Sequence, residues 1–184
     1  MNMTQTKKLT VTAMLFALGL VLPFLTGQIP QVGSMLLPMH IPVFLCGLIC
    51  GARYGVMMGA LLPVVRSLIF SMPPMYPTAA AMAFELAAYG AVVGFLYFRA
   101  GYFCVKSLYK AMIPAMLIGR LVWAAAMIVL MGVNGSAFTI EMFMASAFMN
   151  AIPGIVVQLV LIPGVMVALG KAKLVPFGMA PVCE

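Results

Sequence analysis

The sequence predicts an all-α integral membrane protein with six transmembrane helices and both termini in the cytoplasm. Three observations predict it. Hydrophobic residues make up 65% of the 184 residues and charged residues 7%, whereas a soluble domain is about half apolar and about a quarter charged. The apolar runs are continuous rather than alternating, which argues against a β-barrel. Of the connections between those runs, only alternate ones carry lysine or arginine. Residues 1–184 read as one six-helix membrane domain.

A span needs about 20 apolar residues, and fewer where neighbouring helices bury it. The first span covers residues 9–25. Lys7 and Lys8 precede it in the manner of a signal peptide, but no small-residue cleavage site follows, so it reads as a retained helix. The second span, 41–51, is short, with Pro42 near its start. The third covers 54–71, the fourth 78–98 and the fifth 111–131. The sixth lies within 140–169, where Pro153 and Pro163 predict a kink or a break.

Lys7, Lys8, Arg53, Arg99, Lys106, Lys110, Lys171 and Lys173 all fall on one side of a six-span bundle. The opposite loops, 26–38, 72–77 and 132–139, hold no lysine or arginine. The positive-inside rule then makes both termini cytoplasmic. This order also accounts for the net charge of +7. Nucleic-acid binding would need a basic face, and the charges here are scattered between apolar segments. The outer loops are apolar and rich in proline, as covers over a cavity would be. Small residues recur at a spacing of four: Ala13 and Ala17 on the first span, Gly47, Gly51, Gly55 and Gly59 through the second and third, and Gly90 and Gly94 on the fourth. That spacing lets helices approach closely, and Ala13 and Ala17 could instead face another protein.

Three ionisable residues, Arg66, Glu85 and Arg120, interrupt apolar runs. Charges in hydrocarbon are costly and mark functional paths. At about 1.5 Å rise per residue, Arg66 lies roughly 8 Å and Glu85 roughly 10 Å below the outer helix ends, with Arg120 near mid-membrane. Trp123 follows Arg120 on the same face. His40 begins the second span at the outer surface, Tyr76 sits in the stiff loop after the third, and Asn150 precedes Pro153. These residues converge on the outer half, whereas the inner half is apolar or small. A pocket open on one side is a binding site, not a conduction pore. Glu85 is expected to pair with Arg66 or Arg120, which leaves one positive charge for an anionic or strongly polar ligand.

Enzymatic chemistry is not expected. No aspartate occurs and histidine occurs once, so neither a carboxylate dyad nor a multi-histidine metal site is available, and no cofactor is implied. Cys46 and Cys50 read as small packing residues. Gly164 to Lys171 has the wrong spacing for a phosphate-binding loop. Energy for active transport must then come from another polypeptide or an ion gradient.

Three stretches, Ala13-x-x-x-Ala17, residues 37–55 and residues 72–90, together resemble those of the substrate-binding S components of energy-coupling factor (ECF) vitamin transporters. The resemblance is carried by Ala13-x-x-x-Ala17, by Leu37-Pro-Met-His-Ile-Pro-Val-Phe-Leu-Cys-Gly-Leu-Ile-Cys-Gly-Ala-Arg-Tyr-Gly55, and by Met72-Pro-Pro-Met-Tyr-Pro-Thr-Ala-Ala-Ala-Met-Ala-Phe-Glu-Leu-Ala-Ala-Tyr-Gly90. It implies a multi-pass protein of a prokaryotic cell membrane that binds a small vitamin. It also implies partnership with a coupling transmembrane subunit, docked through Ala13 and Ala17, and with two cytoplasmic ATPases. The loop at 26–38 would close over the ligand. A spare arginine points to a carboxylate such as pantothenate, with pyridoxine-type and flavin-type ligands as alternatives. Two other classes remain beside it: a self-sufficient proton-coupled carrier using Glu85, and a non-catalytic membrane scaffold.

Overall fold

In the computed structural model, residues 4–26, 38–101, 103–133, 152–175 and 177 are described. The described elements are all helical. They are α1 (Gln5–Val21), α2 (His40–Cys50), α3 (Ala52–Phe70), α4 (Ala80–Ala100), α5 (Val105–Val133) and α6 (Ile152–Lys171). A 3₁₀ turn, Leu22–Thr26, extends α1, and a π-helical turn, Met75–Ala79, leads into α4. Among the described residues, five helical segments are long and apolar enough to cross a membrane, whereas α2 has only 11 residues.

At about 1.5 Å per residue α2 spans roughly half of a bilayer core. Its surroundings explain how so short a helix is tolerated. Ten of its eleven residues are buried, and it packs against α1, α3, α4 and α6. Protein rather than lipid therefore surrounds it, and its ends need not reach the headgroups. The outward faces of the long helices are apolar and exposed, as Met14, Leu68, Leu121 and Val160 illustrate. In water such surface would be a liability; against lipid it is the expected covering.

Glycines set the closest helix approach. A Cβ on Gly55 of α3 would stand 2.8 Å from the Gly90 carbonyl oxygen of α4, and one on Gly47 of α2 would stand 2.7 Å from Val93 Cγ1. Gly59 lies directly against the Leu86 backbone and Gly94 against Ala52. Backbones in contact gain dispersion over a long interface where lipid supplies no hydrophobic drive. Gly51 departs from the expected packing row. It is the single residue between α2 and α3, with φ of 99°, and a Cβ there would meet only Phe98. Its role is the turn, since only glycine adopts that backbone without strain.

The prolines act differently from the expected break. Pro163 lies inside a continuous α6. Pro153 is the second residue of that helix, where its missing N–H would have no intrahelical partner anyway. The part of the sixth predicted span before Ile152 lies outside the described residues. Cys46 and Cys50 are buried free thiols at the α1–α2 contact, with Cys46 Sγ 3.6 Å from Thr12 Oγ1 and Cys50 Sγ donating to the Lys8 carbonyl at 3.6 Å.

Candidate functional site

The interior charge centre is built on α4. Glu85 is only 1% exposed. A buried carboxylate is retained only where partners replace its lost hydration. Arg120 of α5 supplies the opposite charge, with Nη1 3.0 Å from Oε1 of Glu85. Tyr89, one turn further along α4, donates its hydroxyl to the same oxygen at 2.8 Å. His40, the first residue of α2, places Nε2 at 3.7 Å from it. Three helices thus converge on one carboxylate oxygen.

Tyr89 is held in place from three sides. Its ring centroid lies 5.3 Å from that of His40 and 5.0 Å from that of Phe44. On its other side the ring rests on Gly119 of α5, where an added Cβ would collide with it. The residue before Arg120 therefore makes room for the hydroxyl that shares its carboxylate.

Several buried polar atoms of this region have no hydrogen-bond partner among the described residues: Nε and Nη2 of Arg120 and both ring nitrogens of His40. The Nε2 amide of Gln158 on α6 is also buried and unpartnered, and α6 packs on α2 and α5, the helices carrying His40 and Arg120. Buried donors left unfilled are destabilising, by about 1–3 kcal/mol each and more when charged. A cluster of them is chemically competent to receive a polar ligand.

Arg66 stands apart from this cluster. Its Nη1 donates to the Leu20 carbonyl at 2.7 Å, and its guanidinium lies 5.4 Å from the ring centres of both Phe24 and Phe70. Pro23 explains the carbonyl. Tightening into the 3₁₀ turn makes residue 23 the natural donor to Leu20, and proline has no N–H. Arg66 fills that gap and ties α3 to the end of α1. Of the two pairings expected for Glu85, the geometry contains the one with Arg120.

The other predicted residues fall as follows. His40 starts its helix as expected but is buried rather than at the surface, because Tyr89 and Glu85 cover it. Tyr76 is 43% exposed and donates its hydroxyl to the Leu130 carbonyl, so it clasps the turn before α4 to α5. Trp123 is half-buried, one turn beyond Arg120 on α5. Asn150 and residues 27–37 of the first outer loop lie outside the described residues. Ala13 and Ala17 are exposed on α1, on a face shared with Leu9, Met14, Leu18 and Val21.

Tyr89 and Gln158 were missed by sequence reasoning. Both had a signal. Tyr89 follows Glu85 by four residues, which stacks the two on one helix face. Gln158 is a lone amide within an apolar span, subject to the same cost argument as the charges.

Residues 7–166 match the family model described as ECF transporter, substrate-specific component. Comparison with curated proteins and with solved structures finds no match.

Proposed function

Since the chain belongs to the substrate-specific components of ECF transporters, we propose that it captures a small water-soluble vitamin at the His40–Glu85–Arg120 cluster. The family is one of transporter binding subunits, not of enzymes, and its members work with ECF transmembrane and ATPase subunits. The observation that carries the site is the buried Arg120 edge, Nε and Nη2, which has no partner among the described residues and lies beside a paired Glu85. A protein kept only for stability gains nothing from burying donors without acceptors. A binding subunit does, because the ligand supplies the missing acceptors.

In this reading α2 is the sixth, protein-enclosed span of a single domain in a prokaryotic cell membrane. The lysine and arginine order supports cytoplasmic termini. The exposed α1 face around Ala13 and Ala17 is where the coupling subunit would dock, since small residues let another helix approach closely. Pantothenate, pyridoxine-type and flavin-type vitamins are the ligands to test first.

The test is purification of the chain alone from its native membrane, with mass spectrometry of any co-purifying small molecule and equilibrium binding of a vitamin panel. One vitamin bound stoichiometrically without ATPase subunits is the expected result. Membranes holding the chain alone that bind no member of the panel would sink the reading. Uptake into proteoliposomes driven by a proton gradient without partners would favour the proton-coupled carrier instead.

A further inference from the structure

The site as proposed above also restricts the charge of its ligand. The contacts of Arg120, Tyr89 and His40 with the Glu85 carboxylate run to Oε1. Arg120 reaches it through Nη1 alone. The unfilled nitrogens, Nε and Nη2, carry the two parallel N–H groups of the guanidinium's side edge, and they are buried. This edge is a two-pronged donor for a planar acceptor. Next to it stands the Glu85 carboxylate, whose oxygens only accept.

The formal charges at this point already cancel. One guanidinium faces one carboxylate at 3.0 Å. Arg66, the other buried arginine, is committed to the Leu20 carbonyl and the rings of Phe24 and Phe70. His40 Nε2 stands 3.7 Å from the same carboxylate oxygen. A ligand carboxylate would therefore place a second anion in a buried site around one guanidinium already paired, and an uncompensated buried charge is costly.

Resting on the site reading above, we infer that the cluster receives an uncharged planar edge of the substrate. A carbonyl or ring nitrogen would accept from the Nε and Nη2 edge of Arg120. A neighbouring N–H or O–H would donate to the Glu85 carboxylate. The expected recognition group is thus an amide-like, ureide-like or hydroxylated heteroaromatic edge rather than a carboxylate. This narrows the vitamins toward those with a neutral ring head.

Matched pairs test it on the full-length protein in detergent or nanodiscs, by equilibrium dialysis and thermal shift. The probes are pyridoxine against 4-pyridoxate, panthenol against pantothenate, nicotinamide against nicotinate and biotinamide against biotin, with riboflavin as a further neutral ligand. In any pair that binds, the neutral member is expected to bind at least about tenfold tighter. Binding of riboflavin with no acid bound gives the same result. Tighter binding of the acid member overturns the inference while leaving the binding site itself in place. No binding by any probe overturns the site reading together with the inference. Glu85→Gln supplies a second measurement. It leaves Arg120 without its counter-charge, so the preference within the binding pair should invert toward the acid. An unchanged preference in a folded, monodisperse variant also overturns the inference.

Discussion

Arg120 of α5 and Glu85 of α4 meet at 3.0 Å in a region where the carboxylate is 1% exposed. The contact holds together two consecutive helices, and it takes only one of the arginine's nitrogens. Under the proposed function, stability and binding divide over a single guanidinium: Nη1 holds Glu85, and Nε and Nη2, without a partner among the described residues, are left to a ligand.

Arg120→Ala should leave Glu85 buried without its cation and cost about 3–5 kcal/mol of stability. Arg120→Lys keeps the charge but not the two-pronged edge. It should therefore retain more of the thermal stability than Arg120→Ala while losing ligand affinity. Thermal unfolding in detergent and equilibrium binding, measured on both variants, separate the two roles. Equal effects of both substitutions on both measurements would remove the division.

Tyr89→Phe removes the 2.8 Å bond to Glu85 and little else. The expected cost is about 1–3 kcal/mol. Gly119→Ala should disturb the same bond from the other side by pushing the Tyr89 ring off α5. The two effects should be strongly non-additive, because each variant removes one shared interaction. A double-mutant cycle with additive losses would show that Gly119 does not position Tyr89.

Gly90→Ala introduces a Cβ into the Gly55 backbone, so α3 and α4 must part along their length. A loss of about 1–3 kcal/mol or more is expected. Gly164→Ala is the control: a Cβ there meets nothing within 4 Å, and alanine favours a helix by up to about 1 kcal/mol. Comparable destabilisation at both positions would mean that close approach is not what Gly90 provides.

Arg66→Gln should unfasten the Leu20 carbonyl and lower thermal stability by about 1–3 kcal/mol. Ligand affinity should change far less than in Arg120→Lys, because Arg66 faces α1 and the phenylalanines rather than Glu85. A collapse of affinity equal to that of Arg120→Lys would return Arg66 to the binding site.

Ala13→Trp places a large side chain on the exposed face of α1. Ligand binding by the isolated chain should persist while uptake with the coupling and ATPase subunits is lost. Lost binding with retained uptake-complex assembly would show that this face is not a docking surface.

Much of the pattern of buried charges and close-packed glycines was legible in the linear chain. The cost of a charge in hydrocarbon picked out Arg66, Glu85 and Arg120 without any coordinates, and small-residue spacing picked out Gly47, Gly55, Gly59, Gly90 and Gly94. The role of Gly51 was not legible. A glycine at a spacing of four looks the same whether it serves packing or a φ of 99°.

Composition and the order of charges are enough to place apolar segments and their polar interruptions in depth, because rise per residue and bilayer thickness are constants of the chain and its solvent. They say nothing of rotation about each helix axis. Arg66 and Arg120 both lie within reach of Glu85 by depth. Packing turns Arg66 toward the carbonyl that Pro23 leaves without a donor, and turns Arg120 toward Glu85 beside the gap at Gly119. That choice belongs to contacts between segments distant in sequence, and only the assembled bundle makes them.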